Sequence, residues 1–349
     1  MNFASDNAGG VHPRIMAALA AANAGHVPAY GTDRITAAAQ DRLREAFDAP
    51  EAAVHFVPTG TAANALALSL MAPGWGKVFC HQDAHIQTSE TGAPEFFTGG
   101  AKLVLVPGTG GKITPEALIE ALEANGRDSV HAGRNVALSL TNATEWGTVY
   151  DPDEVAALAG IARDHGLAVH MDGARFSNAL ASLDVAPADL TWRVGIDVLS
   201  LGATKNGCMA VEAVVIFDPA LSEELEFRRK RGGALVSKHR YLAAQMLAWL
   251  EGDLWLQMAS HANAMAHELA LGLARLPGVR IDQRVATNQI FATMPRALYQ
   301  RGLAAGISCH LWPHTQSADG DADEPVSIRL VCGWDTGLDD VTAALAALA

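Results

Sequence analysis

The sequence predicts an α/β protein in which helices cover both faces of a mostly parallel sheet. Three observations carry that expectation. Helical and strand-like segments alternate from Pro13 to Phe217. The strand-like runs are short and almost wholly apolar, as strands covered on both faces must be. Each run ends beside a glycine, polar or charged cluster, where open α/β sheets place their ligands.

Taken in order, helices are predicted at Pro13–Ala24, Ile35–Phe47, Ala62–Met71, Pro115–Asn125, Pro152–His165 and Ser222–Lys230. Strands are predicted at Val78–Cys80, Lys102–Val106, Asn135–Thr141, Leu167–Asp172, Ile196–Leu201 and Val214–Phe217. A long helical region, Tyr241 to Leu276, leads through Pro277-Gly278 into a mixed tail. That tail has strand signals at Val279–Ile281, Gln289–Met294 and Val326–Val331, and a terminal helix from Leu338. The expected division is a large domain over residues 1–249 and a small one over 250–349, with the N-terminal segment packing on the small one. Residues Thr315–Glu324 read as a solvated loop, and no internal repeat is visible.

Composition sets limits. With 349 residues, 50% hydrophobic and 18% charged, the chain can bury a large core. A net charge of −13 argues against nucleic acid and anionic membrane surfaces. No apolar stretch approaches the roughly 18 residues of a membrane helix, and the first residues lack a signal-peptide pattern. Cys80, Cys208, Cys309 and Cys332 form no CxxC spacing or disulfide framework, so reduced thiols in a cytoplasm are expected.

The chemistry is concentrated at two strand ends. His170-Met171-Asp172-Gly173-Ala174-Arg175 closes one apolar run, and Thr204-Lys205-Asn206 follows another after a Gly202-Ala203 turn. An acid and a lysine so placed are what pyridoxal phosphate chemistry needs: the lysine amine condenses with the aldehyde, and the aspartate pairs with the protonated ring nitrogen. Upstream, Val57-Pro58-Thr59-Gly60-Thr61-Ala62-Ala63-Asn64 opens a helix. Small residues there let backbone N–H groups approach a phosphate at the helix amino end; the same residues also suit an ordinary cap on Thr59 or Thr61. Two other segments are decoys. Val106-Pro107-Gly108-Thr109-Gly110-Gly111-Lys112 departs from the phosphate-loop spacing at Val106 and Ile113 and reads as a turn. Cys309, His310 and His314 lack a fourth ligand at zinc spacing, and no metal site is expected.

At these residues the sequence resembles the low-specificity L-threonine aldolases, of the fold-type I (aspartate aminotransferase-like) class of pyridoxal phosphate enzymes. The resemblance runs nearly end to end. It includes Phe3-Ala4-Ser5-Asp6-Asn7, Ala29-Tyr30-Gly31-Thr32-Asp33, Thr59–Asn64, Ala84-His85 and Glu90-Thr91-Gly92-Ala93-Pro94-Glu95. It continues through the His170–Arg175 and Thr204–Asn206 motifs to Ile328-Arg329-Leu330-Val331. It implies a large domain with a mostly parallel seven-stranded sheet, a small C-terminal α+β domain, and a homotetramer built from dimers that share active sites. It also implies retro-aldol cleavage of L-threonine, L-allo-threonine or related β-hydroxy-α-amino acids to glycine and an aldehyde. The alternative with the same cofactor is a β-eliminating lyase.

The residue roles it implies are these. Lys205 holds the cofactor, Asp172 its ring nitrogen, and His85 stacks on the ring face. Gly60, Thr61 and Ala62, with Thr204, hold the phosphate, and Lys238 or Arg240 reaches a neighbouring subunit's cofactor. Arg175 and Arg329, with Ser5 assisting, grip the substrate carboxylate, a task suited to the planar guanidinium. Tyr30 is a further substrate-binding candidate. The base for the β-hydroxyl is His85, Glu90 or a water held by either. The sequence departs from many family members at Thr144-Glu145-Trp146-Gly147, where they carry Thr-His-Asn-Gly. Glu145 therefore stands beside the expected substrate hydroxyl, and Trp146 either shapes the side-chain pocket or belongs to the core.

Overall fold

Apolar residues in immediate succession make strands that must be covered on both faces, and the central sheet obeys that demand. Its strands are β1 (Ala53–Val57), β2 (Gly76–His81), β3 (Lys102–Val106), β4 (Arg134–Thr141), β5 (Ala168–Gly173), β6 (Val198–Gly202) and β7 (Glu212–Ile216). In this computed structural model, which describes residues 1–126 and 130–349, the strand order is β1-β7-β6-β5-β4-β2-β3. Only β7 runs against the others. Side chains alternate between two cores. Phe79, Leu138, Leu199 and Val215 face one, with Phe47, Phe176 and Trp249. Val78, Ala137, Val198 and Val214 face the other, with Leu66 and Leu68.

A second sheet, order β10-β11-β9-β8, is antiparallel throughout. It consists of β8 (Arg280–Ile281), β9 (Gln289–Pro295), β10 (His310–Leu311) and β11 (Pro325–Val331). Its own core joins Ile290, Ile328 and Leu330 to Leu269 and Val341. Phe3 is buried in that core, and its backbone bonds Ser308 and Val331 at 2.8 Å each, so the N-terminal chain lies against this sheet.

The predicted strands all form, with ends displaced by at most two residues. The long helical region is a correction. Tyr241–Leu276 is two helices, Arg240–Leu250 and Leu254–Leu273, broken at Glu251–Asp253. Gly252 and Asp253 take φ of 61° and 53°, a left-handed backbone that glycine and aspartate tolerate best. Glu251-Gly252-Asp253, all exposed, interrupts the apolar pattern there, a turn signal that the long helical pattern on either side overrode. Short helices at His85–Thr88, Ala93–Thr98, Phe176–Leu183 and Arg296–Ala304 lacked a long enough pattern to announce themselves. The Val106–Lys112 segment is a turn, closed by the Lys112 N–H on the Thr109 carbonyl at 3.2 Å. No helix of the described residues is long and apolar enough to cross a membrane.

One glycine fixes the distance between the two chemical strand ends. A Cβ on Gly202, the last residue of β6, would stand 2.6 Å from the Ala174 carbonyl oxygen and 2.7 Å from its Cα. Both are backbone atoms with little room to yield, so the chain that carries Asp172 and the chain that leads to Lys205 meet only because no side chain separates them.

Candidate active site

The carboxyl ends of β5 and β6 open onto a cavity of about 280 Å³, lined by Gly60, Thr61, His85, Asp172, Lys205 and Glu212 among others. Each of these residues is held by identifiable contacts. Lys205 sits on a tight turn, Thr204–Asn206, after β6. Asn206 pins the turn: its amide donates to the Trp255 carbonyl at 2.8 Å and to Ser177 Oγ at 3.1 Å, and its carbonyl accepts from the Trp249 indole at 2.9 Å. The Lys205 amine makes no hydrogen bond or ion pair among the described residues. Burial, and then the Arg175 charge, lower its pKa, while Asp6, Asp172 and Glu212 oppose the shift. An amine in that state is closer to the neutral form a nucleophile needs.

Asp172 is held on both oxygens, by Asn64 Nδ2 at 2.9 Å and by the Ala174 N–H at 3.0 Å. The same Asn64 nitrogen donates to Glu90 Oε1 at 2.8 Å, and His85 Nδ1 meets that oxygen at 2.8 Å. His85, Glu90 and Asp172 thus form one chain through Asn64. Their ligand atoms lie within 4.8 Å of one another, but these hydrogen bonds already engage them. The Glu90 bond raises the His85 pKa against the pull of burial, and burial raises Glu90 itself. Glu145 accepts from the His85 backbone N–H at 2.7 Å, and its Oε2 is buried without a partner. Burial, with the Asp172 charge next, lifts Glu145 to about 7.

At the helix Gly60–Met71, Thr59 is the cap, its hydroxyl accepting from the Ala62 N–H at 3.1 Å. That engages Ala62 and leaves the Gly60 and Thr61 N–H groups, which have no intrahelical acceptor, beside the cavity. Thr204 also lines it.

The arginines differ sharply. Arg175 meets Asp6 with both arms of its fork, at 2.7 and 2.9 Å, and Asn288 adds a third bond to Asp6 at 3.0 Å. Burial works to raise Asp6, but Arg175 and Lys205 outweigh it and leave it lowered. Arg329, on β11, lies with its guanidinium 4.8 Å from the centre of the Trp312 ring. Its Nε is buried without a partner, and it forms no ion pair among the described residues. Burial first, then Arg175, lowers its pKa.

The remaining predicted site residues are placed as follows. Ser5 Oγ accepts from the N–H of Asn7, a cavity residue, at 3.1 Å. Tyr30 lies outside the lining, 48% exposed, with the Lys230 amine 4.6 Å from its ring centre. Lys238 is exposed and also outside the lining. Trp146 donates to Asp83 at 2.9 Å and packs against Phe291 and Trp312.

Sequence reasoning missed Asp6 as the partner of Arg175, Asn64 as the bridge, and Glu212. A lone Glu inside Val211-Glu212-Ala213-Val214-Val215-Ile216 was the available signal for the last, since an unpaired charge is costly in a buried strand. His170 is a floor residue. Its ring bonds Ser139 and Ser200 at 2.9 Å each, and burial pushes its pKa down to about 4, so it stays neutral.

The beta-eliminating lyase family model matches residues 2–297. The chain belongs to that family. Within the beta-eliminating lyases it is 42% identical to a low specificity L-threonine aldolase of Pseudomonas aeruginosa, over 97% of this chain and 94% of that one. A second enzyme of that name, from a Pseudomonas species, is also 42% identical, over 96% and 93%. The solved threonine aldolase of Leishmania major superposes with a TM-score of 0.92 at 31% identity, covering 99% of this chain and 98% of that one. The mixed α/β fold with its seven-stranded sheet is therefore the fold of these enzymes.

Proposed function

We propose that the protein is an aldehyde-lyase that splits L-threonine, L-allo-threonine and related L-β-hydroxy-α-amino acids such as phenylserine into glycine and an aldehyde, with pyridoxal 5'-phosphate as cofactor. The observation that carries this reading is the unpartnered Lys205 amine sharing one cavity with an Asp172 that is gripped on both oxygens. The 42% identity to the Pseudomonas aeruginosa enzyme over nearly the whole of both chains supports it.

The residues present fit the cofactor. A Cβ on Gly60 would meet nothing within 4 Å, so there is open space beside the two free N–H groups of the helix start. Thr61 and Thr204 add hydroxyls for a phosphate, Lys205 an amine for the aldehyde, and Asp172 a carboxylate for the ring nitrogen. When bound, the group supplies an electron sink for the pair released from a bond at Cα. The protein's part is to orient and to move protons. Arg329, helped by Ser5, holds the substrate carboxylate. His85, with Nδ1 fixed by Glu90, presents Nε2 to take the β-hydroxyl proton as the Cα–Cβ bond breaks and the C=O bond forms. Glu145 supports the backbone of that histidine. Burial and Arg175 keep the Lys205 amine able to lose its proton.

Residues 1–249 form the cofactor-binding part and 250–349 a smaller domain. Four copies associate as a dimer of dimers in the cytoplasm, bringing Lys238 toward a neighbour's site. A stable, active monomer in light scattering would remove that assembly.

The test is aldehyde release from purified, cofactor-supplemented protein with L-threonine, L-allo-threonine, D-threonine and L-phenylserine side by side. Cleavage of the L substrates without D activity is expected. Silence on all four, with a visible cofactor band present, would transfer the assignment to β-elimination, read as pyruvate from O-acetylserine.

A further inference from the structure

Glu212 has no part in the roles above, yet it lines the same cavity as Lys205. It is the first residue of β7 and stands opposite Gly202 in the register. From there its Oε2 accepts the Ala203 N–H at 2.7 Å, while the adjacent Val211 holds the Thr204 hydroxyl, which donates to its carbonyl at 3.4 Å and accepts from its N–H at 3.2 Å. Ala203 and Thr204 are the two residues that lead into Lys205. The start of β7 thus holds both residues and fixes where the lysine leaves the sheet, and the Glu212 charge acts on the amine.

We propose that Glu212 is a positioning residue for Lys205, fixing the turn that carries the lysine and setting how readily its amine gives up a proton. The inference rests on Lys205 being the reactive amine of the proposed function. A buried acid in an otherwise apolar strand is costly, and this one sits with 6% exposure among Val211, Ala213 and Val214. A structural role alone could be served by a neutral acceptor. The carboxyl is distinguished by its charge, and the charged or titratable groups around Lys205 are Arg175, Asp6, Asp172, Glu212 and His85. Around Glu212 stand Lys205 and the Cys208 thiol, which burial and Glu212 push well up and so keep neutral. Arg175 is tied to Asp6 and Asp172 to Asn64, whereas Glu212 makes no ion pair among the described residues. Burial raises Glu212 to about 7.

The experiment uses cofactor-free protein, so that it does not depend on turnover. Lys205 is modified by formaldehyde with a borane reductant across a pH series, and the dimethylated peptide is measured by mass spectrometry. Losing the negative charge disfavours the ammonium form, so Glu212→Gln is expected to move the half-modification pH of Lys205 down by about half a unit to one unit. Its melting temperature should stay close to wild type, because the Gln carbonyl still accepts from Ala203. Glu212→Ala, which also frees the turn, is expected to take up pyridoxal phosphate about tenfold more slowly, followed as growth of the visible band. An unchanged half-modification pH in Glu212→Gln would overturn the proposal. So would a Glu212→Gln protein that fails to fold, since the acid would then serve the fold rather than the lysine. A wild-type protein that forms no visible band would instead sink the cofactor assignment.

Discussion

Replacing Lys205 with alanine is expected to abolish the visible cofactor band and to cut turnover about a thousandfold or more, the scale seen when a covalent catalyst is removed. The same substitution should not weaken the fold. The Lys205 amine has no hydrogen-bond or ion-pair partner among the described residues, and burial is the largest influence on it. Removing an unpaired buried amine relieves a desolvation cost, and the turn is held independently by Asn206 through Ser177, Trp249 and Trp255. Thermal melting of the Lys205→Ala protein should therefore match or exceed wild type. This is the trade seen at active sites, where stability is given up for a reactive group. A variant with full turnover would refute the assignment of the lysine, and one that melts far lower would show that the lysine supports the fold.

That lysine was legible from sequence because it follows an apolar run and a Gly-Ala turn, and Asp172 because it ends the neighbouring run. Two strands that pair in parallel, Asp172 opposite Ser200, bring such ends together, and both are short-range signals. What escaped was of a different kind. Asn64 was visible as part of a helix start, but its donation to both Glu90 and Asp172 spans 26 and 108 residues. Asp6 reaches Arg175 across 169 residues. No periodicity or spacing encodes such pairings, because they arise only once the N-terminal chain and the sheet have packed. The break at Gly252 is a miss of the opposite kind: the charged, glycine-centred Glu251-Gly252-Asp253 between two apolar helices is a short-range turn signal that the sequence did carry.

The packing also separates Arg175 from Arg329, which the sequence treats alike. A guanidinium holds a substrate carboxylate only if its donors are free. Nε and Nη2 of Arg175 are engaged by Asp6, whose side chain is 1% exposed, whereas Arg329 is half-buried over Trp312 with an unmet Nε. Arg329→Met is therefore expected to lower kcat/KM about a hundredfold, mainly through KM, the loss that follows when one partner of a buried charge pair is removed. Its melting should change little, since the methionine stem can still cover the Trp312 ring. Arg329→Lys should recover only part of the loss, because a lysine lacks the planar fork. Arg175→Met should behave differently. It leaves Asp6 buried without its ion-pair partner, held only by Asn288 and the more distant Lys205 charge, a loss of about 3–5 kcal/mol, so its first symptom should be a lower melting temperature. Kinetics and melting curves on the two methionine variants decide the matter. If Arg329→Met leaves KM untouched while folded Arg175→Met raises it, the carboxylate is held by Arg175, and Asp6 must release its arginine when substrate arrives.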